Sequence, residues 1–322
     1  GDDELHGLSM RAQGGFGLTM TCATSVQHSG VGFPGQLGAH DDRHIDGLSR
    51  LAAALKVAGS HAVVQLQHSG MRSQSDYCDG TPQCPSDDEK TNSKAMTYDQ
   101  VQQLIEDFVT AAERTQRAGF DGVELHGAHG YLISEFLSPQ YNRRDDQYGG
   151  SPENRGRLLM EIIAGVHERC GRGFSLGVRL SPERFGVDTG EIRALAGQLL
   201  TDPRLDYLDM SLWDLHKPCE HPEFEGQSLL QVFASLPRDG VCLGAAGKIY
   251  SAADAQAGLE AGLDMVIVGR GAVLHHDFPK KAIANPAFKA CELPVTRDYL
   301  AQEGLGPRFI DYMASWEGFV SP

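Results

Sequence analysis

Short apolar runs alternate with longer amphipathic segments along almost the whole chain, and this alternation limits the fold more than any other feature. The apolar runs span four to seven residues and mostly lack polar alternation, as strands buried on both faces do. They cover residues 16–21, 62–66, 122–125, 174–180, 207–210, 241–245 and 265–268. Repeated β-α units of this kind predict a parallel sheet.

The segments between these runs predict helices, and several carry helix start signals. Thr97 precedes an apolar 3–4 pattern, and Ser151-Pro152 supplies an N-cap followed by proline at the first helical position. The predicted helices cover residues 42–58, 97–118, 151–170, 189–200, 226–236 and 251–262. The C-terminal 40 residues indicate further helix, with Trp316 and Phe319 available for packing.

Seven strands are recognisable, whereas a closed (β/α)₈ TIM barrel needs eight. The place for another strand is before residue 16, but residues 1–15 have the pattern of a helix end and its turn. The sequence therefore predicts an α/β fold of the TIM-barrel type whose first strand is missing or not recognisable. Residues 70–96 form a long polar stretch, and a loop of that length in a compact domain is usually functional or mobile.

Charge and cysteine content exclude several classes of protein. The formal net charge of −15 over 322 residues disfavours nucleic acids and anionic membranes as partners, since both need concentrated Lys and Arg. Seven scattered cysteines without a C-x-x-C pair indicate free thiols in a reducing compartment. The sequence has neither an apolar run near 18 residues nor a secretory signal pattern. We expect a cytoplasmic enzyme with a small-molecule substrate.

Three polar rings follow the predicted strand over 122–125, in the stretch DGVELHGAHGYLISEFLSP. They belong to His126, His129 and Tyr131, and in a barrel they would lie at the catalytic face. Two imidazoles can bind a carbonyl or nitro oxygen and stabilise the negative charge that develops there. A phenol can then supply a proton. The alternative is a hydrogen-bonded core histidine beside a packed aromatic ring.

The same stretch allows a metal site. Glu124, His126 and His129 offer metal-ligand side chains, although in a strand Glu124 and His126 share a face that His129 lies beyond. A metal-dependent barrel lyase or hydrolase is therefore an alternative to the carbonyl-binding site.

Two polar residues interrupt buried strands. Gln65 lies within VVQLQHSG, where its amide needs a partner, either neighbouring backbone or the edge of a heteroaromatic ligand. Arg179 lies within SLGVRLSP and needs an anion. That anion is either a carboxylate from a neighbouring strand or the N1/C2 oxygen edge of a flavin, which becomes anionic on reduction.

The last two strands end in small residues. Gly247 and Lys248 follow the strand over 241–245, and Gly269 and Arg270 follow the strand over 265–268. Glycines let a ligand approach the backbone closely, and cations beside helix starts favour a phosphate. The loops after strands seven and eight are the usual phosphate site of a TIM barrel.

Together these motifs resemble the Old Yellow Enzyme family of FMN-dependent ene-reductases. The most specific stretch is HGAHGYLISEFLSPQYNRRDDQYGGSPENRGRLLMEII, and QLQHSG, LGVRLSP, AAGKI and DMVIVGRGAVLHHDFP match as well. The resemblance covers residues from about 10 to 280. The sequence departs from the family pattern in two places: the first strand is missing, and one extra residue precedes Arg72. We therefore assign no role to Arg72. Lacking closely spaced cysteines, the chain resembles the short form: one flavin-binding domain over residues 1–322 with a C-terminal helical extension.

The resemblance implies a role for each site residue. Gln65 and Arg179 would hold the pyrimidine edge of FMN, near the Ala23 backbone. His126 and His129 would bind the electron-withdrawing group of the substrate, and Tyr131 would protonate the substrate carbon opposite the hydride. The residues implied around the FMN phosphate are Gly247, Lys248, Gly269 and Arg270.

The resemblance also implies a ping-pong reaction. NADH or NADPH would reduce FMN, and the flavin would then reduce the C=C bond of an activated alkene such as an enone. A homo-oligomer is among the implied partners. A non-catalytic FMN-binding protein is the remaining alternative, because the predicted barrel lacks a strand.

Overall fold

The computed structural model describes residues 1–321 and contains one large, curved, parallel sheet. The predicted alternation of strands and helices is confirmed. The strands of this sheet are β1 (Leu18–Met20), β2 (Thr24–Ser25), β3 (His61–Gln67), β6 (Gly122–Gly127), β7 (Ser175–Leu180), β8 (Tyr207–Ser211), β9 (Cys242–Ala246) and β10 (Met265–Ile267). Neighbours run in the order β1-β3-β6-β7-β8-β9-β10, with β2 continuing the pairing of β1 along β3.

Helices connect successive strands, as in a TIM barrel. The α-helices are α1 (Asp2–Gln13), α2 (Ile45–Val57), α3 (Tyr98–Arg117), α4 (Leu132–Leu137), α5 (Pro152–Cys170), α6 (Thr189–Leu199), α7 (Leu229–Ala234), α8 (Ala252–Glu260), α9 (Arg270–Leu274), α10 (Phe278–Ala284), α11 (Arg297–Gln302) and α12 (Pro307–Ala314). Predicted caps are present at α3, where Thr97 accepts from the Gln100 N–H in a capping box, and at α5, where Ser151 accepts from the Asn154 N–H.

The sheet does not close into a complete barrel. Within residues 1–321, β1 and β10 form its two ends and do not pair with each other. The segment before β1 is helix α1, which has acidic residues in its first turn and Arg11 in its last, an arrangement that the helix dipole favours. The end of α1 reaches the opposite side of the gap, where Lys280 Nζ donates to the Gln13 carbonyl at 2.6 Å. The prediction that residues 1–15 are not a strand is thus confirmed.

Residues 70–96, predicted as a long polar loop, contain a two-stranded ladder and two 3₁₀ turns. Cys84 lies in β4 (Gln83–Cys84), which pairs in parallel with β5 (Lys94–Ala95). Two 3₁₀ turns precede this ladder, Gly70–Arg72 and Ser75–Tyr77. Strands of two residues are too short to leave an apolar pattern in the sequence.

The apolar side chains form two clusters. The larger one joins the strands of the main sheet to the helices that cover it. The smaller one joins α9, α11 and α12 and includes Phe319, which is 3% exposed, while Trp316 stays 37% exposed. Of the two aromatic residues expected to pack the C-terminal segment, Phe319 does so fully and Trp316 only in part. Among the described helices, none combines the length and apolar character needed to cross a bilayer.

Candidate active site at the carboxyl ends of the strands

His126 and His129 face each other at the end of β6. His126 is buried and lies opposite Arg179 of β7 in the strand register. His129 adopts a left-handed backbone conformation with φ of 62°, followed by Gly130 with φ of 69°. The Ser181 hydroxyl accepts the His129 N–H at 3.0 Å and anchors this bend. The bend brings His129 Nδ1 within 3.2 Å of His126 Nε2. Non-glycine residues with positive φ are uncommon and cluster at functional sites.

Tyr131 completes a group of three rings. It lies at the start of α4, and its ring centroid is 5.5 Å from that of His126. The exposed Arg72 covers the group, with its guanidinium 5.6 Å from the centre of the Tyr131 ring and 5.5 Å from that of Phe185. Arg72 Nη1 also donates to the His129 carbonyl at 2.9 Å. The sequence analysis predicted the three rings as site residues. It did not predict Arg72 or Phe185, which come from two other loops.

Both imidazoles of this pair are neutral at physiological pH. Burial, and then the charges of Arg179 and Arg72, lower the pKa of His129 to about 3. Burial likewise lowers the pKa of His126 well below its ordinary value, with the adjacent His129 and Arg179 as further causes. A neutral imidazole has one N–H donor and one acceptor nitrogen. The pair can therefore offer hydrogen bonds to a ligand, but not positive charge.

Ser211, at the end of β8, links the histidine pair to Arg179. Its hydroxyl lies 2.7 Å from His129 Nε2 and accepts from Arg179 Nη2 at 3.4 Å. The sequence analysis did not identify this residue. The available signal was a hydroxyl directly after the apolar run of a strand, at the edge where the other polar groups lie.

Arg179 pairs with a carboxylate inside the sheet. Its Nε lies 3.1 Å from Oδ2 of Asp209, which sits opposite it in the register of β7 and β8 and is completely buried. The side chain of Arg179 is 19% exposed. Of the two partners considered from the sequence, the carboxylate of a neighbouring strand is thus present, and the guanidinium also reaches the mouth of the sheet at Ser211. Asp209 itself was not singled out.

Gln65 pairs with a second buried acid. Its amide donates to Glu124 Oε1 at 2.8 Å, and these residues are direct neighbours in the register of β3 and β6. Neighbouring backbone, the simpler expectation, does not supply the partner. Burial, and then the nearby Asp209, raise the pKa of Glu124 to about 8, so Glu124 is largely protonated at pH 7.

The geometry does not support the metal alternative at this position. Glu124 is directed toward Gln65, whereas His126 and His129 direct ring nitrogens at each other. Within residues 1–321, the side chains whose potential ligand atoms converge are instead those of His276, Asp277 and Glu303.

The predicted phosphate residues lie at the exits of β9 and β10. Lys248 has φ of 51° and a half-exposed side chain, whose Nζ pairs with Asp214 at 2.9 Å. A Cβ placed on Gly247 would lie 2.7 Å from the Leu215 backbone nitrogen, so this position needs glycine, whereas Gly269 faces open space. The Arg270 guanidinium lies 5.5 Å from the centre of the Tyr250 ring.

Ala23 lies on the loop between β1 and β2. Its carbonyl accepts a hydrogen bond from Gln36 at 2.8 Å, and Gln36 also donates to the Gln67 side chain at 2.8 Å. Gln36 belongs to the glycine-rich loop after β2, so this contact fixes the backbone around Ala23 relative to the end of β3.

Comparison with known proteins identifies the family. Residues 2–286 match the model of the NADH:flavin oxidoreductase / NADH oxidase family. The chain therefore belongs to this family, which is the Old Yellow Enzyme family and consists of oxidoreductases that use FMN with NADH or NADPH as reductant. The fold and the site thus define a flavin oxidoreductase.

Two curated relatives illustrate the similarity. The chain is 36% identical over 265 residues to a probable NADH-dependent flavin oxidoreductase, YqiG, of Bacillus subtilis, covering 79% of this chain and 71% of that protein. It is also 36% identical over 293 residues to an NADPH dehydrogenase of Bacillus licheniformis, covering 89% and 85%.

Solved structures confirm the TIM-barrel fold. Morphinone reductase superposes with a TM-score of 0.77 at 29% identity, covering 94% of this chain and 84% of that one. Two longer chains share the fold to a similar degree, and this chain spans only 47% of a 2-naphthoyl-CoA reductase and 43% of a histamine dehydrogenase.

The residues at the mouth of the sheet fit FMN. Arg179 forms an ion pair with Asp209, and its guanidinium also reaches Ser211 at the mouth of the sheet. A cation at this position suits the edge of a flavin, which becomes anionic on reduction. At the exits of β9 and β10, Gly269 leaves open space and the half-exposed Lys248 supplies a cation, which suits a phosphate. Among the described residues, Arg270 forms no ion pair with a carboxylate, so its charge is also available to a phosphate.

Proposed function

We propose that this oxidoreductase reduces the C=C bond of activated alkenes, such as enones, by a ping-pong reaction with NADH or NADPH. The observation that carries the proposal is the pair of neutral imidazoles at the end of β6, with the Tyr131 ring 5.5 Å from His126. Bound FMN supplies the chemistry of accepting hydride from the reductant and passing it to the substrate.

His126 and His129 bind the electron-withdrawing oxygen of the substrate in this proposal. Hydride arrival at the β-carbon moves negative charge onto that oxygen, so N–H donors aimed at it stabilise the transition state more than the ground state. Both ring nitrogens of His129 have partners in the structure, His126 Nε2 at 3.2 Å and the Ser211 hydroxyl at 2.7 Å, so in this proposal the substrate oxygen takes the place of the contact between the two imidazoles.

Two groups of residues are proposed to bind FMN, one at the pyrimidine edge and one at the phosphate. Gln65 and Arg179, with the Ala23 backbone, hold the pyrimidine edge, and Gly247, Lys248, Gly269 and Arg270 surround the phosphate. Residues 1–322 form one flavin-binding domain with a C-terminal helical extension in this proposal. The contact between Lys280 and the end of α1 supports it, because it joins the two ends of the barrel segment.

We further propose that the enzyme works in the cytoplasm, because all seven cysteines are unpaired and NAD(P)H is the reductant of its family. A homo-oligomer is proposed as its assembly. Sedimentation velocity tests the assembly, and a monomer across micromolar concentrations would contradict it.

Replacing Tyr131 with phenylalanine removes the proposed proton donor while leaving its ring in place. We expect the rate of enone reduction to fall by roughly 10²-fold, which is the usual contribution of general acid catalysis. Reduction of FMN by NAD(P)H should be almost unchanged. Stopped-flow absorbance measures each half-reaction, and Tyr98→Phe, on an exposed ring, is the matched control. An unchanged enone rate in Tyr131→Phe would show that another group supplies the proton.

The histidine pair should impart no pH dependence near neutrality. Because the pKa of His129 is lowered to about 3, and that of His126 is also lowered, both rings stay neutral as the pH falls through the ordinary histidine range. The rate of flavin reoxidation by cyclohexenone should therefore show no titration step near pH 6.5. A step there that disappears in His129→Ala would contradict the assignment of neutral rings.

A further inference from the structure

Two buried acids lie inside the sheet, and the proposed reaction gives neither of them a role. Glu124 of β6 and Asp209 of β8 are both completely buried. Burying a carboxyl group is costly unless it gains a partner in return. Each of these acids therefore requires an explanation in terms of what it holds.

Each acid is the cross-strand neighbour of one proposed flavin ligand. Glu124 lies opposite Gln65 in the pairing of β3 and β6, and Asp209 lies opposite Arg179 in the pairing of β7 and β8. Neighbours in register on parallel strands point to the same side of a sheet. The contacts follow from this register, with 2.8 Å from Gln65 Nε2 to Glu124 and 3.1 Å from Arg179 Nε to Asp209.

Glu124 and Asp209 have few other partners. Within the described structure, Glu124 Oε2 and both oxygens of Asp209 accept no geometrically acceptable hydrogen bond, and the ion pair with Arg179 is the close contact of Asp209. Tyr207 fills the space over Gly177 between them, and its hydroxyl is also without a hydrogen-bond partner. The contacts of the two acids are thus those with the Gln65 amide and the Arg179 guanidinium, with the Tyr207 hydroxyl beside them.

We propose that Glu124 and Asp209 are positioning residues for FMN, Glu124 holding the Gln65 amide and Asp209 holding the Arg179 guanidinium from inside the barrel. This inference rests on the proposed function, because it takes Gln65 and Arg179 as flavin ligands. It goes beyond that function by assigning two residues that do not touch the cofactor. A preorganised donor binds its ligand with a smaller loss of side-chain entropy, which is how the acids would act.

Asp209 also sets the charge behind the flavin edge. Its carboxylate offsets part of the Arg179 charge, so removing it leaves Arg179 more able to stabilise an anionic reduced flavin. In Asp209→Asn we expect the midpoint potential of bound FMN to rise by about 30 mV, which corresponds to a tenfold preference for the reduced form in a two-electron couple. The exposed Asp46 provides the control Asp46→Asn, which changes the net charge equally and should leave the potential unaltered.

The potential of wild type, Asp209→Asn and Asp46→Asn is measured by anaerobic equilibration with reference dyes, monitored by flavin absorbance. A rise confined to Asp209→Asn supports the inference. An unchanged potential in Asp209→Asn, or an equal shift in both variants, would overturn the role of Asp209. Asparagine has the size and shape of aspartate, so this comparison does not depend on repacking.

A double-mutant cycle tests Glu124. We expect Glu124→Leu and Gln65→Leu each to weaken FMN binding about tenfold, the effect of losing roughly one net hydrogen bond. If Glu124 acts through Gln65, the double variant should bind FMN no more weakly than Gln65→Leu alone. Losses that add would show that Glu124 acts independently of Gln65. Dissociation constants come from quenching of FMN fluorescence.

Glu124→Gln is the conservative variant, because it keeps an oxygen acceptor for the Gln65 amide. It should bind FMN like the wild type, and a tenfold loss would count against positioning through that acceptor. If Glu124→Leu does not fold, as judged by circular dichroism, Glu124→Gln and the potential of Asp209→Asn decide the question. Wild-type protein that binds no FMN refutes the proposed function itself, whereas wild-type binding with additive losses refutes only this inference.

Discussion

Replacing both His126 and His129 with alanine should slow enone reduction by roughly 10³-fold or more, because each donor of this kind commonly contributes 10²–10³. Reduction of FMN by NAD(P)H should change far less, because no negative oxygen develops in that half-reaction. The two rings are neutral and held 3.2 Å apart, so the double substitution removes a fixed pair of hydrogen-bonding groups rather than charge.

Stopped-flow absorbance of the flavin separates the half-reactions, first with NAD(P)H and then with cyclohexenone. His6→Ala, on an exposed residue of α1, is the matched control and should leave both rates at wild-type values. Equal losses in the two half-reactions of the double variant would mean that the pair holds the cofactor or the fold, and would contradict substrate activation.

Gly177→Ala should lower the free energy of unfolding by about 2–3 kcal/mol, which is the upper range for inserting one methyl group into a packed core. Gly177 lies in β7 opposite Tyr207 of β8, and a Cβ at this position would overlap the Tyr207 ring. Tyr207 is buried, with Glu124 and Asp209 as neighbours, so the added methyl group has to displace a packed ring.

Urea unfolding followed by circular dichroism measures this change, and a fall in Tm of about 5 °C should accompany it. Gly173→Ala is the control, because a Cβ there meets nothing within 4 Å. Adding Tyr207→Leu to Gly177→Ala should recover part of the lost stability. Equal stability of Gly177→Ala and Gly173→Ala would contradict the packing described for the interior.

The order of strands and helices could be predicted because parallel strands buried on both faces remain continuous apolar runs. Helix starts were predictable where a side chain caps the helix, as Thr97 and Ser151 do. The absence of a strand in residues 1–15 was also expected, whereas the sequence left open whether another segment would close the gap between β1 and β10. The ladder of β4 and β5 was not, since two paired residues leave no periodicity.

The site was predictable to the extent that its residues come directly after strands. His126, His129 and Tyr131 lie within one short segment, so their proximity was predictable without knowledge of strand pairing. The bend at His129 brings the rings together. Pairings between strands depend on register, which the sequence does not reveal. That is why Asp209 and Ser211 were not identified, and why Arg179 had two alternative partners until β7 and β8 were aligned.

The most direct test of the whole account is an anaerobic titration of the purified protein, followed by its visible spectrum. The account predicts a yellow protein whose flavin absorbance bleaches with NADH or NADPH and returns on addition of cyclohexenone. In the His126/His129 double variant the bleaching should be retained and the return should be far slower. A colourless protein, or a flavin band that does not bleach with either reductant, would contradict it.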